Sequence, residues 1–199
     1  MRDVIGALAP FIQHQLLLTI AAGIRTTDIS RWLNSYPTIV RAMPNTPALI
    51  GKGITGLYAM PGVSEQQKKV ADDILRSVGL TSWLDEEHLI DAVTAVSGSG
   101  PAYVFYFIEA MQEAAVALGL SAEQGTQFAI ETFEGAAQLA MHSNEPVAVL
   151  RERVTSKGGT TYAALISMEN SEVKQAIIRA IQAAAARGAE LGDEFGQQE

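Results

Sequence analysis

Leu16-Leu17-Leu18-Thr19-Ile20-Ala21, then Asp28 ahead of Ile29, Trp32 and Leu33, then Thr38-Ile39-Val40-Arg41-Ala42: these residues decide the fold of the first half of the chain. The first run is continuously apolar and short, as in a strand buried on both faces. Asp is a residue type that caps helix N-termini, and Ile29, Trp32 and Leu33 recur at helical spacing. The second run is again short and rich in β-branched residues. Strand, helix and strand in this order predict a βαβ unit with parallel strands, because a crossover of this length returns the chain to run beside its first strand.

Upstream, Val4, Ile5, Leu8, Ala9, Phe11 and Ile12 have helical spacing, so the chain opens on a helix. A doubly wound domain ordinarily opens on a strand and a glycine-rich turn. Downstream, Ile54 to Ala59 reads as a further strand. Ser64 and Gln67 form a capping box ahead of Val70, Ala71, Ile74, Leu75 and Val78, Gly79 stops that helix, and Thr81 to Leu84 reads as an edge strand. From about Glu86 onward only helices are predicted. Pro101 opens one that ends near Gly119, Ser121 and Gln124 cap another that runs to about Met141, and Val173, Ile177, Ala180, Ile181 and Ala184 mark a C-terminal one. The tail from Gly192 to Glu199 is polar and expected to fray. The composition shift near residues 85 to 92 divides the chain into residues 1–88 and 89–199, an α/β part with a parallel sheet followed by an all-helical part.

Of the 199 residues, 48% are apolar and 18% charged, a balance suited to a packed core. A formal net charge of -8 with no basic stripe argues against a nucleic-acid partner, whose phosphates demand one. There is no cysteine, which excludes disulfides and thiolate metal sites. No apolar run reaches membrane-spanning length and no cleavage-type leader is visible, so a cytoplasmic protein is expected. His14, His88 and His142 lie far apart without metal-site spacing. Asp72, Asp73, Asp85, Glu86 and Glu87 read as solvated faces.

Four glycine- or proline-bearing segments carry the functional signal. Gly51-Lys52-Gly53-Ile54-Thr55-Gly56 matches G-x-G-x-x-G by letter. That fingerprint needs a strand before it and a helix after it, whereas here Pro44 and Pro47 precede and Leu57 to Pro61 cannot open a helix; a loop into a strand is expected. Met43-Pro44-Asn45-Thr46-Pro47 lies at the carboxyl end of a predicted strand, where open α/β sheets place ligands, and equally suits a plain turn. Ser97-Gly98-Ser99-Gly100-Pro101 precedes a long helix, and its small residues and unpaired N–H groups admit a flat ring or serve only as a helix start. Val154-Thr155-Ser156-Lys157-Gly158-Gly159-Thr160-Thr161 is the richest: it opens the helix at Tyr162 to Leu165, and its donors converge where an anion such as a carboxylate would sit.

Ala42 to Pro47, Ala95 to Tyr103 and Val154 to Thr161, in this order and at these separations, resemble pyrroline-5-carboxylate reductases, and the likeness runs over essentially the whole chain. The resemblance implies a Rossmann-type domain followed by a helical domain that interlocks with a second subunit, in a homodimer able to assemble into larger rings. It implies NADPH (or NADH) as hydride donor and L-proline as product. Carried over by position, Met43, Asn45 and Thr46, with Ser97, Gly98, Ser99 and Gly100 nearby, line the nicotinamide side of the cofactor pocket. Val154, Ser156, Gly158, Gly159, Thr160 and Thr161 hold the substrate, backbone groups of Gly158 to Thr160 meeting its carboxylate and the Thr161 hydroxyl its ring nitrogen. The family's opening strand, glycine-rich turn and ribose-reading residues have no counterpart here, so this polypeptide by itself is expected to be nearly silent and to bind NADPH weakly. Two rivals stand beside this reading. A β-hydroxyacid-type dehydrogenase shares the two-domain plan but carries a helix Lys and Asn after its glycine-rich stretch, where Ala102 to Phe107 has neither. A non-catalytic oligomerisation module would bind no proline.

Overall fold

The computed structural model describes residues 2–196. They form two compact units, one of residues 2–101 with 180–196 and the other of residues 102–179.

In the first unit α1 (Arg2–Leu8) leads to β1 (Leu17–Thr19), α2 (Thr26–Trp32) and β2 (Ile39–Met43), and β1 pairs with β2 in parallel, as the βαβ reading requires. β3 (Gly53–Ala59), α3 (Glu65–Arg76) and β4 (Gly79–Trp83) complete a sheet of order β1-β2-β3-β4. β3 and β4 are again parallel, but β3 runs antiparallel to β2. The parallel sheet expected from the sequence is present and is interrupted once, between β2 and β3. Residues 44–52 are too few for a parallel crossover, which needs about a dozen, and they fold as a 3₁₀ turn, Thr46–Ile50, started by the prolines. The Gly51 to Gly56 segment is the loop and strand that its flanks predict: Gly51 closes the turn at φ 71° and β3 begins at Gly53.

All five residues of β2 are buried. Val40 and Ala42 pack with Leu57, Val63, Ala71 and Leu75 beneath α3, while Ile39 on the opposite face joins Ile5, Ile24, Ile29 and Leu33 of the α1 and α2 layer. Both bonds of the Ser64–Gln67 capping box form. α3 stops at Arg76, ahead of Gly79, and Gly79 instead opens β4 at φ 155°, where a Cβ would overlap the Gly53 carbonyl.

Three sequence expectations change here. Asp28 is not the cap of α2: the helix starts at Thr26, and the Glu87 carboxylate, far along the chain, accepts from the Thr26 N–H (2.6 Å) and hydroxyl (2.7 Å). An anion at a helix N-terminus is favoured by the unpaired N–H groups there. Glu87 is thus no solvated carboxylate, and neither is Asp72, which takes hydrogen bonds from Thr81, Trp83 and Arg76. Those donors hold its carboxyl below the usual range. Nor do Gly192 to Gly196 fray, while residues 197–199 of the tail lie outside the described residues. α9 (Val173–Gly196) continues to Gly196, with Phe195 against the α1/α2 cluster and Asp193 paired to Arg25 at 2.7 Å. Gly188, Gly192 and Gly196, four apart, share one stripe of α9; Cβ atoms there would come 3.7, 2.9 and 3.1 Å from Asp91, Arg25 and Asp28. Glycine's lack of a side chain is what lets the helix lie so close.

α4 (Leu89–Val93) passes through a π-helical turn, Thr94–Gly98, into α5 (Gly100–Ala117). The second unit holds most of α5, then α6 (Ala122–His142), α7 (Val147–Arg153), α8 (Thr160–Asn170) and the start of α9. α6 carries the complete Ser121–Gln124 capping box, and Phe107 of α5 meets Phe133 of α6 with ring centroids 6.5 Å apart. Beyond Glu86 every regular element among the described residues is helical, as the sequence predicts. No helix of the described residues is long and apolar enough to cross a membrane.

Candidate functional site

Two of the segments singled out in the sequence meet in the first unit. Met43 is the last residue of β2, and Asn45 follows it on the 3₁₀ turn. The Asn45 carboxamide donates to the Ser97 hydroxyl (3.2 Å) and accepts from the Ile54 N–H (3.0 Å). One side chain so joins the end of β2, the start of β3 and the π turn. Because its oxygen is the acceptor for Asn45, the Ser97 hydroxyl directs its own hydrogen elsewhere. A Cβ at Gly98 would lie 3.5 Å from the Met43 sulfur, so these two residues are neighbours as well. Thr46 is exposed at the start of the 3₁₀ turn.

Ser97 to Gly100 is not the free helix start that its small residues suggest. The π turn carries the helical path across it, and the Ser99 N–H is bonded to the Thr94 carbonyl at 2.8 Å. π turns inside helices are frequent at functional sites, because the wider turn redirects side chains without ending the helix.

The Val154 to Thr161 segment lies in the second unit, between α7 and α8. Thr155 turns its hydroxyl back to the Arg151 carbonyl (2.6 Å) at the end of α7. Gly158 adopts φ 76°, a left-handed conformation in which other side chains are strained, and a Cβ on Gly159 would come 2.5 Å from the Ser156 hydroxyl oxygen. The sequence therefore needs both glycines to bring Ser156 over the start of α8. Gly159 sits at the N-cap of that 11-residue helix without a side-chain cap, and the first intrahelical bond of Gly159 is to the Ala163 N–H. By helix geometry the N–H groups of Thr160, Thr161 and Tyr162 are left to a ligand or water. Thr161 is half-buried, whereas Val154, Ser156, Gly158 and Thr160 are exposed.

Sequence reasoning missed a polar cluster directly behind the first of these sites. Arg41 of β2, with a side chain only 3% exposed, reaches Glu87 at 3.3 Å and Asp91 of α4 at 3.9 Å. Tyr58 faces Arg41 across the β2–β3 ladder, and burial together with the Glu87 charge pushes its phenol up. The signal was a single arginine inside an otherwise apolar strand, since a charge there must find partners. Among the described residues no group of three or more His, Asp or Glu side chains is placed to hold a metal ion.

Residues 87–191 match the family model described as pyrroline-5-carboxylate reductase dimerisation. Over 198 residues the chain is 46% identical to the pyrroline-5-carboxylate reductase of Pseudomonas aeruginosa, covering 99% of this chain and 72% of that protein. The chain belongs to the pyrroline-5-carboxylate reductase family. Two solved structures carry the same likeness. A pyrroline-5-carboxylate reductase from Coxiella burnetii superposes with a TM-score of 0.89 at 41% identity, over 96% of this chain and 71% of that one. The Plasmodium falciparum pyrroline carboxylate reductase with NADP bound superposes with a TM-score of 0.91 at 32% identity, over 96% and 72%. Family membership brings a Rossmann-like sheet domain and a helical dimerisation domain together in one chain, which agrees with the α/β-then-α order read from the sequence.

Proposed function

We infer that the protein expressed from this chain's own gene carries out its family's reaction, the reduction of 1-pyrroline-5-carboxylate to L-proline with NADPH or NADH, the last step of proline biosynthesis. The observation that carries this reading is the 46% identity to such a reductase along 198 residues. The site chemistry supports it. Bound beside β2, the cofactor supplies a hydride from nicotinamide C4. Met43 and Gly98 offer a narrow apolar wall, and Asn45 and Ser97 offer an amide hydrogen and a hydroxyl, a neutral donor set suited to a flat ring bearing a carboxamide. Thr46, Ser99 and Gly100 complete that face.

The substrate side falls to Val154, Ser156, Gly158, Gly159, Thr160 and Thr161. The N-terminus of α8 holds the carboxylate through its backbone N–H groups, because unpaired donors and the helix dipole both favour an anion there. Thr161, the catalytic candidate, directs its hydroxyl to the ring nitrogen. A protonated imine already carries positive charge and develops no oxyanion, so a neutral hydroxyl whose oxygen accepts from the ring N–H suffices where a ketone would demand a stronger acid. Cofactor contacts come from both sides of residue 88, at Met43 to Thr46 and at Ser97 to Gly100, and substrate contacts all come after it. The net charge of -8 disfavours nucleic acid as a partner.

The test is steady-state turnover by the protein expressed from its own gene. Oxidation of NADPH by pyrroline-5-carboxylate is expected, with L-proline raising the melting temperature of the protein. Inert imine alongside good turnover of a 2-keto or 3-hydroxy acid would overturn the assignment.

A further inference from the structure

We propose that Arg41 is a positioning residue for the nicotinamide half-site, a role that rests on the function inferred above. It acts through α4. Arg41 stands two residues before Met43 on the buried strand β2, and its guanidinium binds Glu87 and Asp91, at 3.3 and 3.9 Å. Glu87 is held in turn by the Thr26 N–H and hydroxyl at the start of α2. Asp91 lies on α4, which runs without a break into the π turn that bears Ser97 and Gly98.

The end of β2 and the π turn are thus fastened twice. At the root the fastening is the buried Arg41 cluster; at the tip it is the hydrogen bond from Asn45 to Ser97, with Met43 against Gly98. The tip fastening is one neutral bond at a partly buried site; Ile90 and Ala95 are fully buried and Val93 lies against Gly56, so apolar packing seats α4 without specifying its register. The root fastening is ionic: Arg41, with a side chain only 3% exposed, is bonded to Glu87 at 3.3 Å and faces Asp91 of α4 at 3.9 Å, so it biases where α4 stands against β2. Nothing in α4 or β2 explains a charge here on packing grounds alone: apolar side chains of similar volume would fill the same space, and buried ion pairs commonly add little net stability over such side chains. What the cluster adds is register. It specifies where Ser97 and Gly98 stand relative to Met43, which are groups that must match one flat ring to within a fraction of an ångström.

The experiment compares the protein expressed from its own gene with Arg41→Met, Arg41→Lys and the double variant Arg41→Met/Glu87→Met. In Arg41→Met the KM for NADPH is expected to rise about tenfold, the scale on which small misplacements tell, while the KM for the imine stays within about twofold. Amide exchange at Thr94 to Gly98 is expected to quicken with it. Arg41→Lys keeps the charge on a single point and is expected to recover part of the NADPH KM. The double variant removes two of the three charges of the cluster, leaving Asp91 partly exposed and Thr26 without its acceptor, and is expected to keep the raised NADPH KM. A folded Arg41→Met or double variant with unchanged NADPH KM overturns the proposal. So does an equal rise in both Michaelis constants that follows the fall in melting temperature, since that is the signature of a scaffold residue. If the unmodified protein turns over a hydroxy acid and not the imine, the inferred function fails, yet the selective NADPH effect still decides the role of Arg41. If it turns over neither, NADPH affinity by calorimetry and exchange at Thr94 to Gly98 take the place of KM, with the same two outcomes.

Discussion

Ile39–Met43 and Tyr103–Phe107 are both short, strongly apolar stretches, and the molecule treats them in opposite ways. Every residue of the first is buried within the chain, between α3 on one side and α1 and α2 on the other. In the second, Phe105 is 66% and Tyr106 72% exposed. The contrast extends to the units that hold them. Of residues 102–179 only Gly125 and Ala129 are buried, whereas the first unit contains two buried clusters. A helix apolar on several faces demands a cover. The match of residues 87–191 to a dimerisation domain says what kind: a second copy of the chain. One unit is therefore stabilised by its own core, the other by association.

If that division holds, substitutions in the two units must fail differently. The largest effect is expected from Leu57→Ala, which empties a fully buried position between β3 and α3. It should cost about 3 kcal/mol, read as a lower midpoint in denaturant melts that does not depend on protein concentration. Phe105→Ala should instead leave the monomer fold intact and weaken the dimer. Burial of a phenylalanine side chain is worth about 2 kcal/mol, or about thirtyfold in dissociation constant, which sedimentation at graded concentrations will register. Were Phe105→Ala to lower the melt independently of concentration, or were the native protein monomeric at micromolar concentration, the comparison would break.

Thr161→Ala tests whether the open unit still houses chemistry. Loss of one hydrogen bond to a charged or polar substrate is worth about 1–2 kcal/mol, so kcat/KM should fall about five- to thirtyfold with circular dichroism unchanged; wild-type kinetics would remove Thr161 from its role. The smallest effect is expected at Asp72, on the closed unit. Hydrogen bonds from Thr81 and Arg76 depress its folded pKa. The stability that it contributes is therefore present above its unfolded value of about 3.9 and is lost as the pH falls through the lower folded value. Asp72→Asn should cost about 1 kcal/mol at neutral pH and shrink as the pH falls below that unfolded value, and a penalty that stayed constant through the acid range would count against the assignment.

Local sequence determined what depends on neighbours in the chain. The two capping boxes, at Ser64 and Ser121, formed because a serine and a glutamine three residues apart satisfy each other within one turn. The βαβ unit followed from periodicity, and the false G-x-G-x-x-G was exposed by the elements on either side of it. The helix start and the two constrained glycines of Val154 to Thr161 were legible for the same reason, since they are local facts.

Only the tertiary structure decided what depends on residues distant in sequence. It turned β3 antiparallel to β2, because the length of residues 44–52, not the composition of either strand, sets the direction of return. It made Glu87 the acceptor at the start of α2 and Asp72 the acceptor for β4, where single-residue polarity suggested solvent. It tied the polar C-terminal stretch to α2 through Gly192, Asp193 and Phe195, and it placed Asn45 against Ser97 across 52 intervening positions. A carboxylate or a glycine has the same local pattern whether its partner is water or a helix from elsewhere in the chain. The difference is the desolvation and the close approach that folding imposes, and those are properties of the assembled core.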